Sequence, residues 1–216
     1  MKLTQIQIQT NNLVKTTEFY SKILGFQILE KDTTFVTFQA GNSILKFVEN
    51  KDFDSIYHLA FNIPENKLDE AINWCKNKVS LIFIEDQNVI TSFENWNAHA
   101  VYFYDNNGNL LEFIARHDLD NHQIEQFGTD SILNISEIGI VHEQPLALGQ
   151  ELINKHDLGF FSKNSNSEVF AAIGDNEGLL IIVRPHRNWY PTQIPSESNK
   201  TVILLENNDT ITELNF

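Results

Sequence analysis

The chain has 216 residues, enough for one large domain or two small ones, and its 42% hydrophobic and 11% aromatic content can supply a sizeable buried core. With Lys and Arg at 15 and Asp and Glu at 29, the net charge is −14 at pH 7, a surface that repels nucleic acid and anionic membrane, so neither is an expected partner. The single cysteine, Cys75, excludes an intramolecular disulfide and a structural thiolate zinc cluster.

Met1–Thr10 is polar and alternating, unlike a signal peptide, and no stretch approaches the roughly 18 apolar residues of a membrane span, so the expected location is the cytoplasm. Lys2–Thr10 sets Ile6 and Ile8 against Gln5, Gln7 and Gln9, the pattern of a half-buried strand with a polar second face. Asn11 and Asn12 supply capping side chains for a helix over Leu13–Leu24, which Gly25 ends. Strands follow at Phe26–Lys31, Thr34–Ala40 and Ser43–Glu49, the last two joined by a Gly41-Asn42 turn.

The order then restarts. Ile56–Ile63 reads as a strand, and Pro64–Lys78 as a helix with Leu68, Ala71, Ile72 and Cys75 on its apolar side. Strands are expected at Val79–Glu85, Ala98–Tyr104 and Asn109–Arg116, with a loop around Asn88–Asn97 and a hairpin turn at Asp105–Gly108. Polar Asp118–Asp130 reads as a linker. A third copy runs from a strand at Ile132–Val141 through a helix near Pro145–Asp157 to strands near Phe160, Val169–Ile173 and Leu179–Val183. A loop containing Trp189-Tyr190-Pro191 offers an amphipathic contact surface, and Thr201–Leu205 is one further strand. The expected class is therefore α+β, built on a repeated strand–helix–three-strand unit. Residues 1–117 form a paired two-unit cup, 118–130 a linker, and 131–216 a truncated half-module that extends or covers the cup, or completes a pseudo-barrel through homodimerisation.

Asn12-Leu13, Glu18-Phe19-Tyr20, Leu24-Gly25-Phe26, the strand Tyr57–Phe61 and the hairpin Val101–Phe113 make residues 1–117 similar to the vicinal oxygen chelate superfamily. That group includes glyoxalase I, extradiol dioxygenases, fosfomycin-inactivating enzymes and bleomycin-binding proteins. The resemblance implies two units curled into a cup with a divalent metal at its base, held from the first and last strand of each unit. Those places are Gln5, Lys46, His58 and Glu112. Lys46 departs from the pattern, since an ammonium repels a cation, which leaves His58, Glu112 and Gln5 as the implied metal ligands.

Glu112 sits between Leu110, Leu111, Phe113 and Ile114, so its carboxylate needs a metal or an ion pair, and Lys46 is a candidate partner in a metal-free cup. Hairpin parity puts Tyr102 on the side of Glu112, and the resemblance to fosfomycin enzymes implies a pocket hydrogen-bond donor there. His99 points away from Glu112 by the same alternation unless a bulge re-aims it, and is a rim candidate for acid–base work. Arg116-His117 reads as a solvated strand end. Glu137 matches the place of Gln5 in the third unit, but no acid or histidine stands at the matching last-strand place near Leu180–Ile182.

Two functions stay open. One is a metalloenzyme of the glyoxalase or dioxygenase type using Fe, Mn, Ni or Zn on an oxygen-chelating small molecule, with Tyr102 or His99 moving the proton. The other is a metal-independent binding protein whose cup is lined by Gln5, Gln7, Lys46, Tyr102 and Trp96.

Overall fold

The computed structural model describes residues 1–216. The first unit comprises β1 (Lys2–Thr10), α1 (Leu13–Glu18, continued by a wider π turn to Ile23), β2 (Gln27–Lys31), β3 (Phe35–Ala40) and β4 (Ser43–Glu49). The second comprises β5 (His58–Ile63), α2 (Leu68–Cys75), β6 (Thr91–Phe93), β7 (Ala98–Tyr104) and β8 (Leu110–Arg116). The third has β9 (Asn134–Val141), α3 (Pro145–His156), β10 (Phe170–Asp175) and β11 (Gly178–Val183), and a final hairpin pairs β12 (Val202–Asn207) with β13 (Thr210–Asn215). The α+β class and the repeated unit are as expected from the sequence.

The strand pairing is not. Two sheets form, in the orders β13-β12-β1-β4-β3-β2 and β10-β11-β9-β5-β8-β7-β6. The first and second units therefore lie in different sheets, and residues 1–117 do not close a cup between themselves. The first strand of the second unit pairs antiparallel with the first strand of the third, Leu59 opposite Ile138 and Ala60 opposite Glu137. In the other sheet β1 pairs with β12 in the same manner. The stretch after residue 131 is thus not a cover: it supplies one half of the second cup and two strands of the first sheet.

Alternation along each strand explains the layering. Leu59, Phe61 and Ile63 of β5 point to one face and join Phe38, Phe47, Phe113, Ile138 and the helices in the main core between the sheets. On the opposite, concave face, Ala60, Ala100, Tyr102, Leu110, Ile181 and Trp189 form a second, smaller cluster. Val79–Glu85 is not a strand: Leu81 and Ile82 pair with one end of β7 while β6 takes the other, which leaves no free edge for a longer strand. The final β12–β13 hairpin turns at Asn208-Asp209, both at positive φ (48° and 60°), a conformation these two residue types tolerate. No helix is long and apolar enough to cross a membrane.

The sheets are joined where the β3–β4 turn meets the start of β9. Asn42 N–H donates to the Leu133 carbonyl at 2.7 Å, and Gly41 has φ +59°, where an added Cβ would lie 2.1 Å from that same oxygen. Gly41→Ala is expected to destabilise the chain by about 1–3 kcal/mol, from left-handed strain plus backbone displacement, as read by urea denaturation.

Candidate metal centre

Three adjacent strands build the site. Ala60 on β5 has Glu112 of β8 as its register partner on one side and Glu137 of β9 on the other. Neighbouring strands are about 4.8 Å apart, so two glutamates separated by one small alanine can converge above its methyl group. His58, two residues earlier on β5, shares their face. Its Nε2 lies 3.6 Å from Glu112 Oε2 and 3.9 Å from Glu137 Oε2, separations within about twice a metal–ligand bond of 2.0–2.2 Å. One ligand atom from each of the three residues falls within 4.8 Å of the others, and all three side chains are buried.

The electrostatics favour a cation at this point. His58 Nδ1–H donates to the Leu110 carbonyl at 3.2 Å, which leaves Nε2 as a bare lone pair facing the carboxylates. Burial holds the His58 imidazole down to about 4, so it is neutral at physiological pH. Burial, then the Glu137 carboxylate, push Glu112 well above the usual carboxylate range, with Arg116 pulling the other way. Glu112 Oε1 is buried without any hydrogen-bond partner. A neutral imidazole and two carboxyl groups, one of them with an orphaned buried oxygen, form a donor set that fits a divalent ion.

Glu137 is held from behind. Arg116, the last residue of β8 and fully buried, gives Nη2 to Glu137 Oε1 and Nε to Asn62 Oδ1 at 3.2 Å. Its guanidinium also lies 5.6 Å from the centre of the Trp96 ring. The sequence reading of Arg116 as a solvated terminus is therefore corrected: strand parity turns residues 112, 114 and 116 inward together, and the buried acids need its charge.

Of the sequence candidates, His58, Glu112, Tyr102 and Trp96 share this cavity, which measures about 220 Å³. Gln5, Gln7 and Lys46 do not, because β1 and β4 belong to the other sheet. Lys46 pairs in register with Gln7 and Thr37, and its ammonium lies 4.5 Å from the Phe35 ring centre, so a Glu112–Lys46 ion pair does not form. His99 faces away from the cup, as alternation implies, and hydrogen-bonds His117 across 2.8 Å; its proposed acid–base role does not fit a residue outside the cavity. Tyr102 lies directly opposite Glu112 on β7, and burial, then the charges of Glu112 and Glu137, raise its phenol well above the usual value. It stays protonated and able to donate.

Glu137 stands at the repeat position equivalent to Gln5, but the sequence alone does not bring it into the site. The only available signal was that parity with Gln5, together with a buried acid in an apolar strand. The fourth repeat-equivalent place, on β11, is occupied by apolar Ile181, which also lines the cavity.

Trp189 seals the floor, its ring 5.3 Å from that of His58. It fits because β9 offers a glycine opposite: a Cβ on Gly139 would lie 2.5 Å from the indole. Gly139→Ala is expected to displace Trp189, lowering stability by about 1–3 kcal/mol and altering near-ultraviolet circular dichroism. Arg116→Met should cost about 3–5 kcal/mol by leaving buried Glu137 unpaired, whereas Arg116→Met with Glu137→Met should recover most of it in a denaturant double-mutant cycle.

Residues 2–113 match the Glyoxalase/Bleomycin resistance protein/Dioxygenase superfamily. Over 117 residues the chain is 30% identical to the metallothiol transferase FosB of Staphylococcus haemolyticus, covering 51% of this chain and 80% of that protein. Its fold is similar to that of a putative dioxygenase from Bacillus subtilis, with TM-score 0.61 and 17% identity over 85% of this chain and 63% of that one. A glyoxalase I mutant from Zea mays gives TM-score 0.60 at 13% identity, covering 92% of this chain and 71% of the other. These structural likenesses extend beyond the matched segment into the third unit. By that match and the identity to FosB, the chain belongs to the Glyoxalase/Bleomycin resistance protein/Dioxygenase superfamily.

Proposed function

We propose that this chain is a divalent-metal-dependent enzyme of the glyoxalase or dioxygenase type, acting on a small oxygen-chelating molecule in the cup between its second and third units. The observation that carries this reading is the convergence of His58 Nε2 with the Glu112 and Glu137 carboxyl groups, the other oxygen of Glu112 being buried without a partner. A relative named as a metallothiol transferase adds support for a metal. When bound, the ion would supply Lewis acidity toward a substrate oxygen.

The protein's own residues do the rest. His58, fixed in its tautomer by the Leu110 carbonyl, and the two glutamates would hold the ion. Replacing the neutral amide of Gln5 by Glu137 makes the donor set richer in charged oxygen, which favours Mn(II) or Fe(II) among the candidate metals Fe, Mn, Ni and Zn. Arg116 fixes the Glu137 carboxylate and offsets its charge. Tyr102 donates a hydrogen bond to a substrate oxygen or holds the proton that moves, and Trp96 and Trp189 keep water from the reacting atoms. Because the third unit supplies the second half of the cup within the chain, completing this cup needs no second copy.

Metal-independent sequestration is the second reading. It draws on Arg116, which gives Glu137 a positive partner without any metal. Elemental analysis separates the two. Protein purified without chelator and loaded with Mn, Fe, Ni or Zn should retain about one ion through desalting. His58→Ala, Glu112→Gln and Glu137→Gln should each weaken retention by more than about 100-fold, while Gln5→Ala leaves it unchanged. Stoichiometric metal in both glutamate variants would refute the centre, and no metal under any loading would favour sequestration.

A further inference from the structure

We propose that the mouth of the cup receives a planar ring carrying an anionic group, a carboxylate, phosphonate or phosphate, and that Arg187 is the residue that recognises the anion. This rests on the proposed use of the cup as the binding site, and concerns what it selects.

The walls are flat rings. Phe93 and Trp96 stack at 5.8 Å with 29° between their planes, and Tyr190 stands edge-on to Tyr102 at 6.2 Å on another side. The cavity of about 220 Å³ exceeds the ~150 Å³ that admits a benzene ring, leaving room for one ring and a substituent. Apolar faces of this kind select shape and flatness but carry no charge preference.

Arg187 supplies that preference. It lies on the loop after β11, which folds back on itself: Ser196 N–H donates to the Arg187 carbonyl and Trp189 N–H to the Ile194 carbonyl, each at 2.9 Å. Arg187 and Trp189 both line the cavity from this loop. The guanidinium sits 5.0 Å from the Phe170 ring centre, a cation–π contact that holds it beside the cavity. Arg187 is exposed at the rim and makes no ion pair with any of the chain's 29 acidic residues, so its N–H edge is free. Such an edge matches a carboxylate or phosphonate in two parallel hydrogen bonds. A chain of net charge −14 repels anions at long range, and a cation at the entrance of the cup offsets that repulsion locally. Arg116 does not line the cavity, and its Nε and Nη2 are turned to Asn62 and Glu137.

The test uses the full chain after chelator treatment, so that no metal contributes to anion affinity. Quenching of tryptophan fluorescence is titrated with phenylphosphonate and benzoate, and with benzamide as the neutral counterpart. The two anions should bind more tightly than benzamide. Arg187→Gln should weaken the anions by about tenfold or more while leaving benzamide within about twofold. Arg187→Lys should recover part of the loss. Arg184→Gln, whose side chain reaches the Glu143 carbonyl rather than the cavity, should behave as wild type. Equal affinity for benzoate and benzamide, anion affinity unmoved in Arg187→Gln, or no saturable quenching by any probe would overturn the proposal. Since metal is absent throughout, these outcomes leave the metal centre to be judged by its own retention experiment.

Discussion

The antiparallel seam between β5 and β9 is the constraint on which the rest depends. Two strands, each the first of its own unit, pair so that Ala60 faces Glu137, while β8 on the other flank of β5 brings Glu112 to the same alanine. A slip of one residue in this seam would turn Glu137 into the apolar core and Ile138 into the cup, at the cost of both. The register is held because Ile135, Ile138 and Ile140 all belong to the main core. An irregularity beside Ala60 and Phe61 adjusts the spacing between Ile135 and Glu137.

Concentrating charge in such a place needs compensation. Two carboxyl groups and an imidazole are buried together in a cavity they share with Ile181. Arg116 offsets one carboxylate, and burial keeps His58 neutral. Glu112 Oε1 keeps no partner, as do Arg116 Nη1 and Trp189 Nε1 nearby, so the protein's own groups leave both an acceptor and donors of the site unsatisfied. Stability alone would favour apolar residues at these positions, since buried ion pairs seldom outperform a well-packed hydrophobic isostere. Their cost to folding is what the proposed binding role would offset.

The two sheets have diverged in what they place on their concave sides. In the first sheet that face carries half-buried Gln5, Gln7 and Lys46, without a group of acids and histidines able to hold an ion. In the second it carries the three candidate ligands under aromatic walls, closed by the loop that bears Arg187 and Trp189. The first copy of the repeated unit thus serves as scaffold and the second and third line the proposed site, and the difference lies in a few inward-facing residues.

Much of this was legible in the chain itself. Period-two alternation, the Gly41-Asn42 and Asp105–Gly108 turns and the recurrence of strand–helix–strands fix the elements and the repeated unit, because these depend on neighbours close in sequence. Parity within the β7–β8 hairpin likewise sets Tyr102 beside Glu112 and turns His99 away. Which unit pairs with which is a different matter, since any first strand offers a similar edge to any other. Only the packed structure decides that β5 joins β9 and β1 joins β12. That choice removes Gln5 and Lys46 from the site and brings in Glu137, and with it Arg116, because a buried acid needs a counter-charge from whichever strand end the fold places next to it.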